Sequence, residues 1–324
     1  MITVDRLTKH YTVPVKNPGL RGTLTHLLKR QYRTITAVNE VSFGIEPGEI
    51  VGFLGPNGAG KTTALKMLTG LIHPSSGQVR VAGYVPFRRE SGFLRTITLV
   101  MGQKQQLLWD LPTMDSLRIN AAVYGLSDRE LRQRVGELAD MLSLERQLSQ
   151  PVRKLSLGER MKAELLAALL HHPKVLFLDE PTLGLDVNAQ SSVRDFLREY
   201  NQRFQATVLL TSHYMADITA LCRRVLMIYK GQLIYDGGLD ELLERFAPCR
   251  EVTVELTAGR SATDLEPYGD LQSVDGQVAH FIVPQETLTQ TISKLLANFE
   301  IVDLTVTDPP IEDVIRRVFE AGTV

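Results

Sequence analysis

Two short clusters in this 324-residue chain have the composition of a phosphate-handling site. The first is Gly55-Pro56-Asn57-Gly58-Ala59-Gly60-Lys61-Thr62-Thr63, which fits G-x-x-x-x-G-K-[ST]. Glycines let the backbone wrap closely around phosphate oxygens, and the helix that follows aims its free N–H groups at them. The Lys61 ammonium has the reach to meet β- and γ-phosphates, and the Thr62 hydroxyl is a natural ligand for Mg²⁺. The second cluster is Val175-Leu176-Phe177-Leu178-Asp179-Glu180, four apolar residues followed by two acids. Such a buried strand delivers its carboxylates to the C-terminal edge of a sheet, where open α/β sheets bind ligands. Asp179 is placed to hold Mg²⁺, directly or through water, and Glu180 to polarise the water that attacks a γ-phosphate. Each cluster has a bland reading, a glycine-rich turn or a pair of solvated strand-end acids. Their joint presence argues against both.

The flanking residues supply the elements that must hold these groups. Ile50 to Leu54 is an apolar run ahead of the first cluster and reads as a buried strand; Thr62 to Leu71 reads as a helix. Further strands are expected at Ile2–Leu7, Ile35–Ile45, Gln78–Val85, Ile97–Met101, Val175–Leu178, Thr207–Thr211 and Val225–Tyr229. Ser127-Asp128-Arg129-Glu130 is a capping box that opens a helix to about Leu142. Leu155 to His172, Val187 to Phe204 and Leu239 to Phe246 continue the helical pattern. Strands alternating with helices predict an α/β fold with a mostly parallel sheet. Residues 250–324 read as a small separate α+β domain, with Pro248 in the linker.

Between Pro14 and Thr34 the chain carries Lys16, Arg21, Lys29, Arg30 and Arg33 and no acid. Leu20, Leu24, Leu27 and Leu28 fall on one helical face. A basic amphipathic helix of this kind either lies on a membrane surface or packs on its own domain. From Arg250 onward, thirteen acidic and five basic residues give a balance of −8, which leaves +7 on the rest of the chain. That front half suits phosphate ligands or an anionic surface without choosing between them. Cys222 and Cys249 have neither metal-ligand spacing nor a disulfide framework. No apolar run approaches the ~18 residues of a membrane span, so the chain is expected in the cytosol unless another subunit holds it at a membrane.

Taken in order, these motifs resemble the nucleotide-binding subunit of an ABC transporter, over residues 1 to about 245. The resemblance implies an α/β P-loop NTPase with an antiparallel β subdomain and a helical signature subdomain. The ABC domain would span 1–246, with the basic insert at about 14–34 and the helical subdomain at about 87–172; the accessory domain would span 250–324. ATP and Mg²⁺ are the implied ligands. Gln103 corresponds to the Q-loop glutamine, which contacts the metal and the attacking water, and Asp186 in Gly184-Leu185-Asp186 to the D-loop. His213 stands where the family has its switch histidine, and Tyr11 resembles the aromatic that stacks on adenine. Leu155-Ser156-Leu157-Gly158-Glu159 occupies the place of the Leu-Ser-Gly-Gly-Gln signature.

The signature departs from the family at Leu157, where a glycine is usual, and at Glu159, where a glutamine is usual. Ser156 and Gly158 keep the hydroxyl donor and the close backbone approach. Glu159 would place negative charge near the phosphates unless it turns away or pairs with Arg160 or Lys162. One P-loop and one signature do not complete a site within one chain in this family. The resemblance therefore implies a head-to-tail dimer, a homodimer or a pair with a homologue, in which the signature and Asp186 act in trans.

The segment from Gly102 to Pro112 and the separate C-terminal domain look most like ATPases of the ABC-2 exporter group. Those work with separately encoded membrane-spanning permeases at the cytoplasmic face of the cell membrane, and no nucleic-acid partner is expected. The competing reading is a soluble ABC ATPase of a nucleic-acid or assembly machine. Such relatives carry two nucleotide domains in one chain or a long coiled-coil insertion, and neither is visible in this sequence.

Overall fold

The computed structural model describes residues 1–15, 31–102, 106–246 and 249–321, which form two compact units, Met1–Gly237 and Gly238–Val324. In chain order the first unit contains β1 (Ile2–Val15), β2 (Gln31–Ile45), β3 (Ile50–Leu54), α1 (Lys61–Leu68), β4 (Ser76–Val81), α2 (Ser91–Thr96), β5 (Ile97–Met101), α3 (Thr113–Tyr124), α4 (Asp128–Leu142) and α5 (Leu157–Leu169). It continues with β6 (Val175–Asp179), α6 (Val187–Phe204), β7 (Thr207–Thr211), α7 (Met215–Leu221), β8 (Arg224–Tyr229) and β9 (Gln232–Gly238).

Two sheets organise this unit. A six-stranded sheet runs β5-β6-β7-β3-β8-β9, and its first five strands pair in parallel. Val175 to Leu178 of β6 and all of β7 are buried, as strands covered on both faces must be. A three-stranded antiparallel sheet runs β2-β1-β4. One buried cluster joins the two sheets through α1: Ile2, Val4 and Phe43 meet Leu65 and Met67, then Phe53, Phe177 and Leu226. At about 1.5–3 kcal/mol for each fully buried apolar side chain, this cluster fixes the P-loop helix between the sheets. Val193, Phe196, Leu197 and Tyr200 give α6 one buried face.

Ser127 and Glu130 form the expected capping box at the start of α4. The first strands are longer than the alternating pattern at Ile2–Leu7 indicates, because β1 and β2 continue as a hairpin to the Val15–Gln31 pair. Both ends of the basic insert are therefore strand. The amphipathic stretch at residues 20–28 lies outside the described residues. The strand expected at 78–85 instead spans Ser76–Val81. β9 carries three consecutive apolar or aromatic residues, Leu233, Ile234 and Tyr235, with no fully buried residue along its length, and periodicity did not reveal it.

In the second unit, α8 (Leu239–Phe246) precedes β10 (Cys249–Leu256), α9 (Ala262–Leu265), β11 (Asp270–Asp275), β12 (Val278–Pro284), α10 (Leu288–Asn298), β13 (Ile301–Thr307) and α11 (Ile311–Ala321). Its antiparallel sheet has the order β11-β12-β10-β13. Alternate residues Val252, Val254 and Leu256 meet Ala279, Phe281 and Val283 in a core of their own. Among the described residues, no helix is long and apolar enough to cross a membrane.

Candidate active site

The P-loop leaves β3 and turns into α1 around a cleft of about 180 Å³, lined by Ala37, Pro56 to Thr63 and Glu180. Gly60 has φ +113°, and a Cβ there would stand 2.4 Å from the Ala37 carbonyl oxygen. Only glycine fits that approach. Lys61 is 8% exposed and folds back on its own loop, donating to the Gly55 carbonyl and, at 3.3 Å, to the Pro56 carbonyl. Burial pulls its pKa below the ordinary 10.5, against the raising influence of Glu180 and Asp179.

The carboxylates arrive from β6. In the parallel register Asp179 lies beside Met101 on one side and Thr211 on the other. The Thr211 hydroxyl donates to Asp179 Oδ1 at 2.7 Å, and the Thr62 hydroxyl donates to Oδ2 at 3.3 Å. The first residue of the helix after the P-loop lysine and the last residue of β6 are thereby brought together. Glu180 has φ +57°, a conformation that costs a non-glycine residue about 1–3 kcal/mol and persists only when its surroundings over-determine it. Its N–H donates to both the carbonyl and the hydroxyl of Thr211, each at 3.1 Å. Its carbonyl accepts from Leu183 N at 3.2 Å.

Glu180 Oε1 lies 2.8 Å from His213 Nε2, and both side chains retain solvent access. Behind them is a polar cluster that no motif announced. Asp217 is 1% exposed; its Oδ2 accepts from the Thr182 hydroxyl at 2.5 Å and the Ser212 hydroxyl at 2.7 Å. Arg194 Nη1 donates to Asp217 Oδ1 at 3.0 Å. No motif assigned Thr182, Thr211, Ser212, Asp217 or Arg194 a role in the site, because single hydroxyls and a lone helical acid have no distinctive spacing.

The signature segment starts α5. Ser156 is its N-cap, and Glu159 closes a capping box on it: Glu159 N donates to Ser156 Oγ at 3.2 Å, and Ser156 N donates to Glu159 Oε2 at 2.8 Å. Glu159 Oε1 also accepts from Gln147 Nε2 at 2.8 Å. Hydrogen bonds from the Ser156 amide and Gln147 hold the Glu159 carboxyl below its ordinary pKa. Its partners are thus the helix N-terminus and Gln147; neither Arg160 nor Lys162 takes its hydrogen bonds, and the Arg160 guanidinium sits 4.6 Å from the Trp109 ring centroid. The Ser156 side chain also contributes a hydrogen bond that favours the ionised Glu159 carboxyl. Leu157 is 48% exposed, while a Cβ on Gly158 would lie 2.8 Å from Ala189 Cβ, so this glycine lets α5 approach α6. Asp186 caps α6 by accepting from Ala189 N at 2.9 Å.

Lys61, Thr62, Asp179, Glu180 and His213 converge on one edge of the sheet. Ser156, Leu157, Gly158, Glu159 and Asp186 are not among the residues lining the P-loop cleft. Tyr11 is on β1 opposite Ile35, with Lys9 Nζ 5.3 Å from its ring centroid, and it does not line the cleft either. Gln103 lies outside the described residues. Its neighbours Gln106 and Leu107 donate their amides to Glu164, a buried acid of α5 that the motif reading passed over. Burial raises the Glu164 pKa, opposed by those two amides. A wider groove of about 640 Å³ borders Gln106, lined in part by Leu71, Leu94, Leu99, Val123 and Tyr124.

Comparison with known proteins adds independent observations. Residues 38–183 match the ABC transporter domain family, and residues 248–307 match the family described as EvrA-like ABC transporter, C-terminal domain. The ABC transporter ATP-binding protein NatA of Bacillus subtilis (strain 168) is 35% identical over 225 residues, covering 68% of this chain and 91% of that protein. The Nod factor export ATP-binding protein I of Burkholderia thailandensis is 34% identical over 251 residues, covering 77% of this chain and 82% of that protein. A solved ATP-binding subunit of an ABC transporter superposes with a TM-score of 0.61 at 26% identity, over 76% of this chain and 92% of that one.

Proposed function

This chain belongs to the ATP-binding proteins of the ABC transporter family and is an ATP-hydrolysing transport motor; we propose that it drives export through separately encoded membrane-spanning subunits, from the cytoplasmic face of the membrane. The observation that carries the catalytic part is that Lys61, Thr62 and Glu180 line the P-loop cleft while Thr62 meets Asp179 and Glu180 meets His213. Export follows the relative whose name states it, the Nod factor export protein.

In this reading the loop amides from Gly58 to Thr63 and the Lys61 ammonium take the ATP phosphates. Lys61 exchanges its loop carbonyls for phosphate oxygens, which restores a charge partner to a largely buried cation. Glu180 accepts the proton of the attacking water, and His213, within hydrogen-bond distance of Glu180, orients the γ-phosphate and steadies the carboxylate. Gln103 is assigned to the water and the metal, and Tyr11 to the adenine. The Thr62 hydroxyl and the Asp179 carboxylate form a hard oxygen pair of the kind Mg²⁺ takes alongside phosphate and water. Bound there, Mg²⁺ would offset the negative charge of the phosphate oxygens.

The site as described is half a site, because Ser156 and Asp186 stand apart from the cleft. This supports a head-to-tail dimer in which Ser156 and the α5 N-terminus of the partner meet the γ-phosphate. A Glu159 charge already bound by Ser156 N and Gln147 suits that contact. The groove beside Gln106, with Leu71 and Val123 exposed, suits a cytoplasmic segment of the membrane subunit.

Affinity capture from detergent-solubilised membranes tests this reading. A multi-span membrane protein recovered at about one copy per chain is the expected outcome. Recovery of ribosomes or nucleic acid in its place overturns the transport function and leaves the ATPase chemistry standing.

A further inference from the structure

A buried carboxylate is weak support for stability in itself, since an apolar replacement of a buried ion pair is often as stable. What Asp217 offers that an apolar side chain does not is two directional attachments on one oxygen, and they fall on either side of the Glu180–His213 contact. Thr182 is two residues beyond Glu180, in the turn that Leu183 N closes on the Glu180 carbonyl. Ser212 immediately precedes His213, and its Oγ also accepts from Tyr214 N at 3.0 Å, so one hydroxyl spans the histidine. Arg194 of α6 neutralises Asp217 from the far side. The two loops come from different strands; Glu180 N still bonds Thr211 at the end of β7, and Asp217 ties the loops together one step further on, at Thr182 and Ser212.

We propose that Asp217 is a positioning residue: through Thr182 and Ser212 it sets the distance between Glu180 and His213, and so the alignment of the base with the γ-phosphate. The inference rests on the reading that Glu180 and His213 act in hydrolysis. Asp217 is buried and is not among the residues lining the P-loop cleft. Its loss acts on the chemical step and leaves P-loop binding in place.

Steady-state ATP hydrolysis by the full chain tests this, with melting temperature followed in parallel. Asp217→Asn is expected to lower kcat by about tenfold or more with KM for ATP within about twofold, since only an interaction of the reacting state is weakened. Asp217→Glu, with both acceptors at altered reach, is expected to recover part of the loss. Should Asp217→Asn fold poorly, Thr182→Val breaks one attachment, leaves the Arg194 pair intact and is expected to lower kcat alone. In a His213→Ala background, Asp217→Asn is expected to cost less than about twofold more, because residues acting through one another are non-additive. A full additive loss in that background, a change confined to KM, or unchanged kcat in both Asp217→Asn and Thr182→Val overturns the proposal. Unchanged turnover in His213→Ala alone overturns the role of the histidine, and the proposal with it.

Discussion

Glu180 Oε1 and His213 Nε2 are 2.8 Å apart although they leave the sheet from different strands. A carboxylate so placed is able to take a proton from water and remain oriented while it does. Glu180→Gln preserves a side chain of the same shape without the base. Its turnover is expected to fall by about 10²–10⁴-fold, with ATP affinity within a few-fold of wild type. Single-turnover hydrolysis together with equilibrium nucleotide binding measures both; turnover near the wild-type rate would reassign the base.

Thr211 holds the Asp179 carboxylate by one oxygen and leaves the other toward Thr62. Groups that orient a metal ligand commonly matter about 10–100-fold for metal affinity. Thr211→Val is therefore expected to raise the Mg²⁺ concentration needed for half-maximal turnover by about tenfold, and chelation by EDTA to stop turnover in both proteins. An unchanged Mg²⁺ dependence in the variant would separate Thr211 from the metal.

Glu159 stabilises α5 through Ser156 N, so Glu159→Ala is expected to cost about 1 kcal/mol, read as a lower melting temperature at neutral pH. Glu159→Gln, which keeps one acceptor, loses less. The folded-state pKa of Glu159 is depressed from 4.5, so the unfolded chain takes up the proton first as the pH falls. The stability contribution is complete above the unfolded value and drains as pH drops below 4.5 through the lowered one. The melting-temperature gap between wild type and Glu159→Ala should narrow over that range; a constant gap would mean the charge plays no part.

Gly102 donates its N–H to the Asp179 carbonyl, and a Cβ added there would stand 2.2 Å from the Glu180 carbonyl oxygen. Backbone is the obstacle, so no rotamer change relieves it. Gly102→Ala is expected to destabilise the fold by about 1–3 kcal/mol and to lower turnover as the Glu180 turn shifts. Calorimetry and an ATPase assay on the same preparation check this, and wild-type values in both would show that β5 and β6 have room to part.

Much of the chemistry was legible in contiguous residues. The run from Gly55 to Thr63 states its own backbone requirement, close approach and a following helix, and four apolar residues before Asp179 state that β6 is buried. The capping pattern was equally readable: Ser156 and Glu159 have the same spacing as Ser127 and Glu130, although the signature reading drew attention to Glu159 as a charge. A strand such as β9, without a fully buried face or an alternating pattern, left no such trace, because alternation identifies a strand only where one face is buried.

By itself the sequence determined the ligand class, the order of the elements and the identity of the candidate phosphate-binding groups, since these depend on local backbone geometry and short apolar runs. Tertiary structure decided the partnerships. Asp179 meets Thr211 because β6 and β7 pair in one particular parallel register, and a slip of either strand by one residue would put the two side chains on opposite faces. Asp217 meets Thr182, Ser212 and Arg194 because the loop after β6, the loop after β7 and α6 close over the same buried point. Such contacts join residues distant in the chain, and their energies depend on burial and direction, which no spacing along the sequence records.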